Sequence, residues 1–113
     1  MPGSKTGRGG GGSFSFRVSD VVEVPLRGTK IRLRLLEGSP SMKDLGVGST
    51  LVLQAPSGAE RRTQIVAHAS SSGFARQDRL ERTRELDVIV TDDGAAPGVR
   101  VPAEIGWTAT GPA

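Results

Sequence analysis

The sequence predicts an all-β fold, and three observations support this prediction. The chain contains 16 Gly and 7 Pro in 113 residues, and these turn-forming residues separate short stretches rich in Val, Thr and Arg. Several of those stretches alternate apolar and polar residues with the period of two that is typical of half-buried strands. With one Trp, three Phe and no Tyr, the core must be small and mainly aliphatic. A chain of this length is expected to form one domain.

The first twelve residues differ in composition from the rest of the chain. The segment 1–12, MPGSKTGRGGGG, has almost no apolar side chains to bury, so we predict a flexible Gly-rich tail followed by one domain over 13–113. Gly7, Gly9 and Gly12 match the Gly-x-Gly-x-x-Gly pattern of dinucleotide-binding folds. Because no strand pattern precedes them and no helix pattern follows, a linker is the better interpretation.

The first strand is predicted where the apolar alternation begins. Phe14, Phe16 and Val18 are separated by polar residues, and successive side chains of a strand point to opposite faces. We therefore expect these three side chains in the core. Pro25 interrupts the pattern and, with the residues that follow, predicts a turn.

The stretch 26–38, LRGTKIRLRLLEG, carries a row of like charges at every second position. In a strand this period places all of them on one face, whereas a helix would scatter them around its circumference. The residues expected to face the core are Thr29, Ile31, Leu33 and Leu35, and those expected to face outward are Lys30, Arg32 and Arg34.

Further strands are predicted along the second half of the chain. TLVLQAP and AERRTQIVAHAS form a hairpin joined through Pro56, Ser57 and Gly58. ELDVIVT is a strand with turn residues Asp92, Asp93 and Gly94 at its end, and PAEIGWTAT is the last strand. GFARQDRLERTRELD is ambiguous: its good helix formers favour a turn or two of helix, but Leu80 and Leu86 are too sparse for a stable amphipathic face, so we expect an irregular excursion or a strand extension. These six to seven strands are the pattern of a small barrel or sandwich.

In this order the elements resemble the second domain of translational GTPases such as elongation factor Tu. The run FRVSDVVEVPLRGTKIRLRLLEG is similar to the family's Phe-containing strand, Asp-Val pair and Gly-Arg-Gly-Thr turn. LGVGSTLVLQAPSGAERRTQIVAHA is similar to its Val-Gly-Asp-x-Val pattern and hairpin, with Ser49 replacing Asp, and VRVPAEIGWTATGP resembles its closing segment. The resemblance implies a compact six-stranded antiparallel β-barrel.

The sequence departs from this family in three respects. Leu33 stands where the family's strand often has Gly, and GFARQDRLERTR has no counterpart. There is also no Gly-x-x-x-x-Gly-Lys-Ser/Thr motif, so the resemblance does not extend to nucleotide hydrolysis.

Few residues suggest catalysis or a cofactor. Cys is absent, which excludes thiolate nucleophiles and sulfur-ligated metals. His68 is the only histidine, and a structural or surface role is favoured over a Ser-His-Asp arrangement or a metal site. The acidic pairs Asp92 with Asp93 and Glu81 with Glu85 are expected in turns or in solvent. We therefore predict a non-enzymatic protein without cofactor or metal, and a small hydrolase is the weakest hypothesis.

The basic residues supply the candidate site. In the run 76–87, Arg and acidic residues balance, which favours a salt-bridged surface over an interaction loop. In the basic row, Lys30, Arg32 and Arg34, no acidic residue intervenes. Residues on the same face of a strand lie about 7 Å apart, which is near the spacing of successive phosphates on a nucleic-acid strand. Two hypotheses for this row are about equally supported. The row contacts RNA or the ribosome, or it lies on an edge strand where charge prevents pairing with another chain. Acidic side chains of a neighbouring strand could also neutralise the row.

The resemblance implies that the Arg-Gly-Thr turn faces the small ribosomal subunit. The predicted nucleic-acid-binding residues are Arg27, Gly28, Thr29, Lys30, Arg32 and Arg34. A formal charge of +3 and a pI near 10.2 agree weakly with an acidic partner. The alternative is a protein-docking or scaffold domain. No apolar run reaches the ~18 residues of a membrane span, so we expect no membrane partner and, with no Cys, the cytoplasm.

Overall fold

The computed structural model describes residues 13–41, 43–68, 73–92 and 101–111, and it shows a closed barrel. The elements are β1 Phe14–Val24, β2 Gly28–Glu37, β3 Thr50–Gln54, β4 Glu60–His68, α1 Gly73–Thr83, β5 Glu85–Asp92 and β6 Thr108–Gly111. All strand pairs are antiparallel, and the order of the strands around the barrel is β1-β2-β5-β4-β3-β6. The predicted all-β antiparallel barrel is confirmed. The predicted tail 1–12, its Gly-x-Gly-x-x-Gly match and the predicted turn residues at 93–94 lie outside the described residues.

Strand β1 follows the predicted alternation up to Val18 and then changes face. Phe14, Phe16 and Val18 are buried as expected. The register with β2 shifts between Val18 and Asp20, so that Val21 takes the inward position and Asp20 points outward. This β-bulge explains why the apolar alternation breaks at SDVV, since an extra residue reverses the face of everything that follows.

Strand β2 matches the predicted pattern along its length. Its buried residues are Thr29, Ile31, Leu33 and Leu35, and its outward residues are Lys30, Arg32 and Arg34. Ile31, Leu33 and Leu35 belong to one apolar cluster that fills the barrel together with residues from all other strands. Within the described residues the core is aliphatic apart from Phe14 and Phe16, whose rings meet edge to face with centroids 5.7 Å apart. The partly buried Trp107 packs against it.

The barrel has two distinct ends, which the strand directions define. At the hairpin end lie the turn between β1 and β2 and the turn between β3 and β4, where the Gly58 N–H donates to the Ala55 carbonyl at 2.9 Å. This confirms the predicted hairpin. At the helix end lie the loop 38–49 and α1. In that loop the Ser49 N–H donates to the Gly46 carbonyl at 3.0 Å, which closes a turn before β3.

The expectation for GFARQDRLERTRELD was wrong, because its first part forms helix α1. Only Leu80 among the helix side chains described is a buried apolar residue, so the amphipathic signal is weak. The helix is supported instead by polar pairs one turn apart, Gln77 with Glu81 and Asp78 with Arg82. The last three residues of the segment already belong to β5. None of the helices in the described ranges is long and apolar enough to cross a membrane.

The fold makes a prediction about two leucines of the same strand. Leu33 is fully buried, whereas Leu36 is the unpaired residue of a bulge in β2 and is 46% exposed. Leu33→Ala should lower the free energy of unfolding by about 2–5 kcal/mol through lost burial and a cavity. Leu36→Ala is the matched control and should lower it by less than about 1 kcal/mol. Urea unfolding of both variants measures the difference, and equal losses would contradict the assigned faces of β2.

Candidate functional site

The turn between β1 and β2 has a strained backbone and an exposed apolar tip. The Arg27 N–H donates to the Val24 carbonyl at 3.0 Å, which closes a β-turn with Pro25 and Leu26 as its central residues. Leu26 has a φ of 66°, as the third position of a type II turn requires, and that position normally favours Gly. A left-handed conformation costs a leucine about 1–2 kcal/mol. Its side chain is nevertheless 91% exposed.

Two of the predicted site residues are buried and hold the hairpin to the barrel. Gly28 has a φ of 135°, and a Cβ at this position would lie 2.6 Å from the Val90 carbonyl oxygen of β5. The Thr29 Oγ1 accepts a hydrogen bond from the Val101 N–H at 2.8 Å. The positions that resemble the Gly-Thr of the family turn therefore fasten β2 to β5 and to residue 101, and they offer little surface to a ligand.

Two further predicted residues form ion pairs with β5. The Arg32 Nε lies 3.0 Å from Asp87 Oδ1, and the Arg34 Nη1 lies 3.6 Å from Glu85 Oε2. Arg79 of α1 joins the same network through both carboxylates. Acidic side chains of the neighbouring strand β5 thus neutralise Arg32 and Arg34, which was one of the alternatives for the basic row. The edge-strand alternative is wrong, because β2 pairs with β1 on one side and β5 on the other.

The network shifts the ionisation of its members. Burial raises the pKa of Asp87, but hydrogen bonds from Arg32 and Arg79 together with their charges outweigh burial and hold that pKa below its ordinary value. The hydrogen bond to Asp87 and the charge of its carboxylate raise the pKa of Arg32. Asp87 is therefore ionised at neutral pH, where it links β5, β2 and α1.

Arg27 and Lys30 remain as cations without a carboxylate partner in the described part of the chain. Arg27 is exposed at the turn, and Lys30 lies opposite Val22, which is 43% exposed. Arg17 of β1 is also exposed and stands opposite Arg34, on the outward face of the same two strands. Arg17 was not among the predicted site residues, although its place between Phe16 and Val18 in the alternating pattern indicates an outward side chain.

An open groove of about 400 Å³ lies at the helix end, between α1 and the loop after β2. Leu35, Leu80 and Pro40 are its buried apolar residues, and the polar ones are Ser39, Ser41, Gln77, Glu81 and Arg84. Arg84 has a φ of 62° and ends α1, its N–H donating to the Leu80 carbonyl at 2.8 Å. Sequence analysis did not find this groove, because it depends on a helix that was not expected.

The only histidine is half-buried and has no catalytic partner among the described residues. His68 is the last residue of β4. Neither of its ring nitrogens forms a hydrogen bond of normal distance and angle within the described residues. Burial and the positive charge of Arg76 lower the pKa of His68, and the Leu45 backbone opposes this shift weakly. No group of three or more His, Asp or Glu side chains is placed to hold a metal ion in the part of the chain that the structure describes.

The balanced run 76–87 forms the salt-bridged surface that was favoured over an interaction loop. Arg79 binds Asp87 and Glu85, and Arg82 binds Asp78 one turn away. These pairs connect α1 to itself and to β5.

Comparison of the chain with protein-family models, with curated proteins and with solved structures finds no match. The geometry of the site and the sequence are therefore the basis for a functional proposal.

The Asp87 network predicts an acid-sensitive contribution to stability. Asp87→Asn should lower the free energy of unfolding at pH 7 by about 1–3 kcal/mol, because two partly buried charge-assisted hydrogen bonds, from Arg32 and Arg79, are weakened. Since the pKa of Asp87 is lower in the folded state, its contribution is present above the ordinary Asp pKa and is lost as the pH falls through the folded value. Urea unfolding of wild type and Asp87→Asn at pH 7 and in the acid range measures both the loss of stability at pH 7 and its disappearance at low pH. Asp78→Asn, at an exposed helical pair, is the control and should change little.

His68 predicts a second pH dependence. The pKa of His68 is lower in the folded chain than in the unfolded chain. At a pH below the ordinary His pKa, the unfolded chain therefore binds a proton at His68 more readily than the folded chain does. The free energy of unfolding should therefore fall as the pH decreases from 7 towards 5. His68→Leu should flatten the profile in this range, because the chain has no other histidine. An unchanged slope in the variant would show that His68 is not the group responsible.

Proposed function

We propose that this chain is a non-enzymatic binding module that contacts RNA through the cationic hairpin of β1 and β2. The observation that carries this proposal is the pair Arg27 and Lys30 at the hairpin end, neither of which has a carboxylate partner among the described residues. Cations without a carboxylate partner are free to neutralise phosphates, and that neutralisation supplies most sequence-independent affinity for nucleic acid. Arg17 extends the charge down the outward face.

The paired arginines contribute less to this proposed surface. The side chains of Arg32 and Arg34 are 40% and 57% exposed, so phosphate oxygens can reach them, but their carboxylate partners already satisfy much of their charge. The proposed contact therefore centres on Arg27 and Lys30. Gly28 and Thr29 hold the backbone that presents them.

The sequence resemblance supports a ribosomal target within this class. The Arg27-Gly28-Thr29 turn is similar to the turn that faces the small ribosomal subunit in translational GTPases. We infer that ribosomal RNA is the first ligand to test, in the cytoplasm that a Cys-free chain led us to expect. The proposal concerns binding alone and includes no reaction.

Charge balance favours a second candidate, a protein-docking or scaffold domain. The described ranges contain 12 of the chain's 15 Lys and Arg residues and 11 of its 12 Asp and Glu residues, so this part is close to neutral. An almost neutral barrel with an exposed apolar tip fits a protein surface as well as RNA. Binding that survives high salt would favour the protein candidate, since phosphate contacts weaken as salt rises.

Co-sedimentation with ribosomes and with purified ribosomal RNA tests the proposal. Wild-type protein should bind at low salt and lose affinity as salt rises. Arg27→Glu with Lys30→Glu should weaken binding about tenfold or more, because two phosphate contacts become repulsive. Lys43→Glu with Arg82→Glu is the control, since it changes the net charge equally at exposed positions elsewhere. No binding by wild type at low salt, or equal losses in both double variants, would contradict the proposal.

A further inference from the structure

Two surfaces at opposite ends of β2 share an uncommon backbone feature. Leu26 and Arg84 are the residues other than Gly with positive φ in the described ranges, at 66° and 62°. Leu26 forms the tip of the hairpin, and Arg84 lines the groove. Strain of this kind persists where the surrounding structure imposes it and is a recognised pointer to function. The Leu26 side chain is almost fully exposed, so packing within the barrel does not account for it.

The tip and the groove are complementary in chemistry. The groove has an apolar floor at Leu35 and Leu80 and is large enough for a leucine side chain. Its rim carries the carboxylate of Glu81, whose Oε2 already accepts a hydrogen bond from Gln77 at 2.7 Å. Beside Leu26 the tip carries the cation Arg27, which forms no ion pair within the described ranges. An apolar tip flanked by a cation thus matches an apolar floor flanked by an anion.

The remaining charges also match in sign. Glu23 is exposed on the hairpin near the turn, and Arg84 is the cation of the groove. The Arg84 Nη2 donates to the Leu35 carbonyl at 3.4 Å, which holds this guanidinium at the side of the groove. A tip that enters with Arg27 towards Glu81 can place Glu23 towards Arg84.

One molecule cannot bring its own tip to its own groove. The turn precedes Gly28 and the groove follows Glu37, so the 10 residues of β2 separate them. At about 3.3 Å per residue this separation is roughly 30 Å along a rigid barrel strand. The match can therefore be realised only between two copies.

We propose that the hairpin tip of one copy docks in the groove of a second copy, with Leu26 as the apolar anchor and Arg27 paired with Glu81. The contact joins different surfaces of the two copies, so it is head to tail and each complex retains one free tip and one free groove. The interface is small, which makes the association weak and dependent on protein concentration.

Sedimentation velocity over about 10 μM to about 1 mM protein tests this association. The mean sedimentation coefficient, corrected for non-ideality, should rise with concentration in wild type. Leu26→Gly should raise the dissociation constant about tenfold or more, while the melting temperature stays equal to or above that of wild type because Gly relieves the positive φ. Ile105→Ala removes another exposed apolar side chain without adding a charge and is the matched control, which should associate as wild type does.

A charge exchange tests the specific pairing of the two surfaces. Arg27→Glu and Glu81→Arg should each weaken association, and the variant that carries both should recover it, since the pair is restored with opposite signs. No concentration dependence in wild type, or an unchanged dissociation constant in Leu26→Gly, would overturn the proposal. Failure of the charge exchange to restore association would also overturn it. A further contrary result would be that wild type and Leu26→Gly both bind RNA saturably while neither self-associates.

Discussion

Closure of the sheet between β1 and β6 is the constraint on which the rest of the structure depends. The four residues Phe14 to Arg17 pair with β6, and Gly111 lies so close to the Phe14 ring that a Cβ would be 2.7 Å from it. With this seam closed, every strand has two neighbours and the inward row of β2 is enclosed on all sides. A core of Val, Leu and Ile with few aromatics is sufficient because the barrel leaves no face of that row in water.

Closure also decides which charges of β2 remain available. Because β5 lies beside β2, Arg32 and Arg34 meet the carboxylates of Asp87 and Glu85. Arg79 adds α1 to the same network, so the charges that look like a binding surface in the sequence largely hold three elements together. Towards the hairpin end the facing positions of β5 are the apolar Ile89 and Val90, and there Lys30 of β2 has no carboxylate partner among the residues that the structure describes.

The sequence predicted the barrel well and the candidate site only partly, for identifiable physical reasons. Strand alternation is local, so β2 and the hairpin of β3 and β4 could be predicted from residue order alone. The neutralisation of Arg32 depends on a partner 55 residues away, which only the sheet order reveals. Helix α1 was missed because its support comes from polar pairs and from Arg79 contacts to β5. The positive φ of Leu26 was missed because Pro25 indicates a turn without fixing its type.

The same tip serves both proposals, and this overlap has a thermodynamic consequence. A phosphate bound at Arg27 occupies the cation that would face Glu81 of a second copy, so RNA binding and self-association are mutually exclusive at one tip. Linkage then requires each to weaken the other in equal measure. Arg27 is the element that the two proposals share, whereas Leu26 belongs to the proposed self-association and Lys30 to the proposed RNA contact. A residue that breaks a local backbone rule is expected where function, rather than stability, determines its identity. Leu26 fits that expectation because Gly would satisfy the turn and leave the barrel intact.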